Sequence, residues 1–186
     1  MQTAELKFRR RREALTNYKK RFALVKSGAA RVVIRKSNKR ITAQITAYGE
    51  EGDRTLAHAD SGELRRYGWP SRANRPTAYL TGLLLGRKAK SVKEALILDI
   101  GLSSPVPGSI PFVFAKGCID AGLKVKSGIK IDDKAYNYSN AEYAKKLKKE
   151  DNEKYKKQYS AYIEGKTEPE ALGSLFNQTK EKILKE

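Results

Sequence analysis

Apolar positions along this chain keep two different periods. Leu15, Tyr18, Phe22 and Val25 recur in steps of three and four, which puts them on one face of a helix. Lys19, Lys20, Arg21 and Lys26 lie mostly elsewhere on that helix, and Ser27-Gly28 marks its end. The period then falls to two. Ile41, Ala43, Ile45 and Ala47 alternate with Thr42, Gln44 and Thr46, the pattern of a strand with one buried face. The stretch RVVIR, residues 31–35, predicts a strand before it, and Lys36-Ser37-Asn38-Lys39 predicts a polar hairpin turn between the two. A second turn at Glu51-Gly52-Asp53 leads into a third strand over about residues 54–59. These three segments predict an antiparallel meander.

Beyond the meander the pattern lengthens again. Residues 61–66 predict a short helix, broken by Tyr67-Gly68-Trp69-Pro70. Pro76 suits the first turn of a longer helix running to about Lys90. Ala78, Leu80, Leu83, Leu84 and Leu85 predict that this helix is buried against the sheet. The run LILDI, residues 96–100, reads as a fully buried strand, parallel to an earlier one because a helix crosses over before it. A loop over residues 101–111 and a helix over 112–121 follow, stopped by Gly122. Residues 123–138 predict an irregular connection. From about Ser139 the chain turns to Lys, Glu and Tyr, and Pro169 opens a last helix toward Leu184. This tail is expected to pack weakly on its own, leaving Tyr143, Leu147, Tyr155, Tyr159 and Tyr162 to dock on a partner. The expected fold is therefore α/β, a mixed sheet of three antiparallel strands plus a parallel one, packed with helices. Its expected segments are a basic arm and helix (1–28), an α/β domain (29–122), and a connection with a helical extension (123–186).

Charge turns this from a question of fold into one of partner. Lys and Arg number 39 against 21 Asp and Glu, a net charge of +18 over 186 residues. Such a domain is expected to seek a polyanion, either nucleic acid or an anionic membrane surface. Residues 1–48 hold 14 basic and 2 acidic side chains, residues 49–140 hold 14 and 10, and residues 141–186 hold 11 and 9. Two thirds of the excess thus sits in the first quarter.

The run Arg9, Arg10, Arg11 and Arg12 is the sharpest feature. Four adjacent guanidiniums repel one another, and an outside polyanion relieves that repulsion. Arginine forks pair bidentately with phosphates and stack on bases. Tyr18, Lys19, Lys20 and Arg21 continue the basic region along the helix. Arg31, Arg35, Lys36, Lys39 and Arg40, with Ser37 and Asn38, make a cationic hairpin tip able to reach into a groove. Tyr67 and Trp69 stand among Arg65, Arg66, Arg72 and Arg75, a mixture suited to unpaired bases. For Trp69 a place at the edge of the core is an equal alternative.

Other chemistries fail on residue types. One cysteine, Cys118, and one histidine, His58, exclude an intramolecular disulfide and zinc sites built from four cysteines or from two cysteines and two histidines. Gly82-Leu-Leu-Leu-Gly86-Arg-Lys has the wrong spacing for a phosphate loop and no Lys-Ser/Thr, so it reads as a helix face with small residues. Asp132-Asp133 has no metal-binding partner nearby. The apolar stretches are far short of the ~20 residues that cross a bilayer, and the first residues carry no apolar signal region. A membrane-surface role also lacks an amphipathic helix with a large apolar face.

Read together, FRRRREALTNYKKRFALVKSGAARVVIRKSNKRITAQI, EGDRTLAHADSGELRRYGWP, PTAYLTGLLLGRKA and EALILDIGL resemble the 5S-rRNA-binding protein family of the large ribosomal subunit, numbered eighteen in the bacterial scheme. The resemblance covers most of residues 7–122. The tail is similar to the carboxy-terminal extension of the archaeal and eukaryotic forms. The loop over residues 69–76 and the connection 123–138 depart from the family pattern. The resemblance implies a ribonuclease-H-like mixed sheet, binding to 5S rRNA, and a bridge to the large rRNA in the central protuberance. It also implies neighbouring large-subunit proteins as partners, a place in the cytoplasmic ribosome, no catalysis, and no cofactor beyond Mg2+ as an rRNA counterion. Arg9–Arg12, Tyr18 and Arg21, and the hairpin from Arg35 to Arg40, match the family's motifs and inherit its RNA contacts. A nuclease on such a sheet needs an acidic residue on its first strand to hold metal, and here that strand offers arginines. The other open reading is a non-ribosomal RNA-binding regulator.

Overall fold

The computed structural model describes residues 6–128, 140–165 and 167–186. A single turn of helix, α1 (Arg9–Arg12), precedes α2 (Tyr18–Lys26). Three strands follow, β1 (Arg31–Lys36), β2 (Ile41–Ala47) and β3 (Arg54–Asp60), then a 3-10 helix over Ser61–Tyr67. Next come α3 (Arg75–Lys88), β4 (Leu96–Asp99), α4 (Ile110–Asp120) and β5 (Val125–Lys126). The last helices are α5 (Asn140–Glu150), α6 (Asn152–Ile163) and α7 (Leu172–Lys185).

The strands form one sheet in the order β3-β2-β1-β4-β5. The meander pairs antiparallel, with Val32 opposite Ile45 and Ile45 opposite Ala57, while β4 lies parallel to β1. That is the mixed α/β sheet the patterns predict, with one strand more. The extra strand, β5, pairs parallel with β4 through only two residues, too short to give a pattern in the sequence. Most of the rest of the expected connection, and Asp132-Asp133 with it, lies outside the described residues.

Alternation decides which face is the core. Val32, Ile34, Ile41, Ala43 and Ile45 are buried under α3 and α4. Asn74 caps α3, its Oδ1 accepting from the Thr77 N–H at 3.0 Å, and Pro76 occupies the first turn. The two helices cross at glycines. A Cβ on Gly82 would stand 2.2 Å from the Phe114 carbonyl oxygen, and one on Gly117 would stand 2.1 Å from that of Tyr79. The glycines of the GLLLG run therefore serve close backbone packing.

The tail packs more firmly than its composition suggests. Leu172, Phe176 and Ile183 of α7 are buried in the main core, and the Phe176 ring meets Trp69 at 5.9 Å and Tyr79 at 5.6 Å. A few apolar positions at helical spacing suffice for one buried helix stripe, however polar the rest of the helix. Ala144, Leu147, Tyr155 and Tyr159 bury one another between α5 and α6. Of the five residues expected to await a partner, Leu147, Tyr155 and Tyr159 are thus spent internally, and Tyr143 is exposed.

The first helix also differs. Asn17 caps α2, accepting from the Lys20 N–H, so the helix starts at Tyr18 and Leu15 falls before it. Ala14, with φ of 52°, turns the chain between α1 and α2. Neither helix buries a residue. No helix among the described residues is long and apolar enough to cross a membrane.

Candidate nucleic-acid interface

The face of the sheet opposite α3 and α4 carries the other half of the alternation. Thr42, Gln44 and Thr46 of β2 lie there, beside Arg31, Val33 and Arg35 of β1. Asn17, Lys20, Arg21 and Leu24 wall one side of a groove over this face, and Gly101–Ser103 lie at its other side. Its volume is about 600 Å³. Arg10, Lys20, Arg21, Arg35 and Lys36 all line it, although they come from three separate elements.

Two carboxylates organise these cations. Asp53 Oδ2 accepts from Arg31 Nη2 at 2.7 Å and lies 3.9 Å from Arg21 Nη2. Asp99 Oδ2 accepts from Arg35 Nη2 at 3.2 Å, while Arg35 Nη1 donates to the Ile34 and Asp99 carbonyls. Asp99 Oδ1 accepts from the Gly101 N–H. Gly101 has φ of 62°, and a Cβ there would lie 3.0 Å from Arg35 Cζ. A side chain at that point would press on the guanidinium, so glycine serves the close approach as well as the turn.

The arginine run is exposed throughout. Arg9 lies 3.6 Å from Glu13, and Arg10 Nε donates to Thr16 Oγ1 at 2.9 Å. No ion pair between described residues engages Arg11 or Arg12. Tyr18 is half-buried, its ring 5.2 Å from that of Phe8, and Lys19, Lys20 and Arg21 are exposed. At the hairpin, Ser37 builds the turn, with its Oγ accepting from the Arg40 N–H and donating to the Arg40 carbonyl. Lys36, Asn38, Lys39 and Arg40 project from it exposed.

Four expected contacts are held by other parts of the protein. Arg31 is 4 % exposed and held by Asp53, so it supports the groove from beneath. Trp69 is 2 % exposed, with Nε1 donating to Thr77 Oγ1 at 2.9 Å, which settles it as core. The Tyr67 hydroxyl donates to the Glu186 carboxylate at the end of α7. Burial and that carboxylate raise its pKa to about 12. Arg72 donates to the Ala161 carbonyl at 2.9 Å and lies over the Tyr162 ring. The aromatic–basic loop thus anchors the extension, and only Arg75 of its four predicted contacts faces out.

The residues missed by sequence reasoning are the two aspartates and the groove floor of Gln44, Thr46 and Thr55. Alternation placed Gln44 and Thr46 on a polar face, but nothing local shows that a helix covers it. His58 is exposed on β3, and burial pushes the Cys118 thiol far up, as for an inert packed sulfhydryl. No cluster of metal-ligating side chains gathers among the described residues.

A mixed α/β sheet whose open face collects cations beside an exposed arginine turn defines a polyanion-binding protein. More narrowly, the chain belongs to the family of ribosomal large subunit proteins 60S L5 and 50S L18, whose family model matches residues 2–96. The match runs from the arm to the first residue of β4 and takes in the arginine turn, α2 and the hairpin. Membership makes the chain an rRNA-binding structural component of the large ribosomal subunit.

Proposed function

We propose that this chain binds 5S rRNA and bridges it to the large rRNA in the central protuberance, without catalysing a reaction. The observation that carries this reading is the convergence of Arg10, Lys20, Arg21, Arg35 and Lys36 on one groove, with Arg9, Arg11 and Arg12 exposed beside it. Cations drawn from separated segments to one face give a backbone-tracking surface whose contacts release counterions. Mg2+ takes part as a counterion of the rRNA. Absence of catalysis rests on β1, which offers Arg31, Val33 and Arg35 where a metal-dependent nuclease requires a carboxylate on its first strand, and on the pairing of the groove's two aspartates, Asp53 and Asp99, with Arg31 and Arg35. The α5–α6 pair, with Tyr143 and Ile163 exposed, is the surface for neighbouring ribosomal proteins.

The test replaces Arg9, Arg10, Arg11 and Arg12 together with alanine and titrates 5S rRNA across a salt series. Each phosphate contact contributes roughly 0.7–0.9 to the slope of log affinity against log salt. With four arginines the slope is expected to flatten by up to about 3.6 and the affinity to fall. An unchanged slope and affinity would remove the arm from the interface.

A further inference from the structure

The core beneath the cationic face is closed by a helix from far along the chain. The cations of the arm, α2 and the hairpin all lie between Arg9 and Arg40. α7 starts only at Leu172, yet its Leu172, Phe176 and Ile183 are 4 %, 4 % and 1 % exposed in the same cluster as Val32 and Ile34 of β1. Tyr79 of α3 joins three helices. Its ring meets Phe176 at 5.6 Å and lies 5.4 Å from Lys180 Nζ, while its hydroxyl donates to Asp120 Oδ2 of α4 at 2.8 Å. Phe176 also meets Trp69, whose Nε1 donates to Thr77 in the first turn of α3. α3 in turn packs against β2 and β3 and shares one core cluster with Val32 and Ile34. Arg31, Val33 and Arg35 alternate with those two residues and line the groove. Packing thus runs unbroken from α7 through α3 to the strand that presents the arginines. The α5–α6 pair differs. Ala144, Leu147, Tyr155 and Tyr159 form a cluster of their own, and among the described residues only the partly buried Tyr162 packs against both clusters.

We propose that α7 licenses RNA binding: a growing chain that already displays the arm, α2 and the hairpin does not hold 5S rRNA until α7 has been made and has closed the core. This rests on the reading of the chain as a 5S-rRNA binder. Charge is available early, because synthesis and folding proceed from the amino-terminal side. A firm grip needs more than charge. α2 buries no residue of its own, and its Arg21 lies 3.9 Å from Asp53, the carboxylate that also holds Arg31. Arg35 is aimed by Asp99 at the end of β4. Both aspartates stay in place only while the sheet is folded. Without α7, Trp69 and Tyr79 lose the ring that covers them, and three large apolar side chains leave the core. Losses of that size rival the whole stability of a domain. An unformed sheet leaves the cations on a loose, salt-sensitive tail with no groove to gather them. The gate keeps unfinished chains from occupying 5S rRNA in complexes that cannot be completed.

The experiment holds the whole chain on a ribosome by an arrest peptide, placed after a flexible Gly/Ser spacer of two lengths. The short spacer keeps α7 inside the exit tunnel, and the long one frees it. In both, every element from β1 to α6 separates the arm from the tether, so the cations are equally accessible. Labelled 5S rRNA is titrated against each at low and at near-physiological salt. With the long spacer, affinity should match that of the released wild type. With the short spacer it should be at least about 100-fold weaker at the higher salt, since only non-specific attraction remains. Two released full-length variants run beside them. Phe176→Asp should lose affinity by a similar factor together with its cooperative melt, although no cation has changed. Leu147→Ala, in the separate α5–α6 cluster, should bind as the wild type does. Equal capture by the short- and long-spacer chains overturns the proposal. So does a Phe176→Asp chain that binds 5S rRNA at wild-type strength, folded or not, and so does a Leu147→Ala chain as weak as Phe176→Asp. A released wild type that ignores 5S rRNA overturns the function on which the gate rests, whatever the two spacers give.

Discussion

Phe176→Ala measures how far the tail belongs to the fold. Phe176 is 4 % exposed and lies edge-on to Trp69 and against Tyr79, deep in the cluster that also holds the sheet. Truncating a buried phenylalanine costs about 3–5 kcal/mol, from lost transfer energy and the cavity left behind. Trp69 and Tyr79 are held by other contacts and do not collapse freely into that space, which favours the upper half of the range. Against a total stability of roughly 5–15 kcal/mol, this is about a quarter or more of the whole. Urea unfolding followed by the fluorescence of Trp69, the one tryptophan, reads the event at the site itself. The midpoint should fall with an unchanged slope, and the melting temperature should drop by about 10 °C. A loss below about 1 kcal/mol, or separate transitions for fluorescence and helix content, would show α7 to be a weakly attached appendage.

Two further outcomes follow from the same contacts. Arg72→Ala should cost about 1–2 kcal/mol, by removing the bond to Ala161 and the cation over Tyr162, while the salt slope of rRNA binding stays unchanged. A flatter slope would return Arg72 to the RNA surface. Burial alone would raise the pKa of Glu63, but the Lys88 ammonium and the Asp60 N–H more than offset it, so it is held below its ordinary value. Its stabilising contribution is then complete above pH of about 4.5 and disappears as the pH falls through the lowered value. Lys88 is partly exposed, so only about 0.5 kcal/mol is at stake. Lys88→Met should remove that part of the acid dependence in melts between pH of about 3 and about 6, and identical curves would refute it.

Local periods were enough for the meander, the parallel strand and the buried α3, because alternation and helical spacing act over a few residues. The exposed Arg9–Arg12 turn and the hairpin tip were legible for the same reason. Arg31 was not. Its neighbours in sequence are a basic strand, and its partner Asp53 lies 22 residues away across the sheet. Trp69 was equally ambiguous, since an indole among arginines suits a base or a core, and only the placement of Thr77 and Phe176 around it chose the core.

The chain's order of residues, by itself, determined a mixed sheet, a cationic first quarter and a polar strand face. Tertiary structure decided where those cations meet, which of them are spent on aspartates, and that the aromatic loop holds the tail. It also decided that Thr46, one more alternating polar residue along β2, ends up covered. The physical reason is the range of the forces. Backbone conformation and amphipathic pattern depend on near neighbours, whereas burial and ion pairing depend on which distant segments the fold brings together.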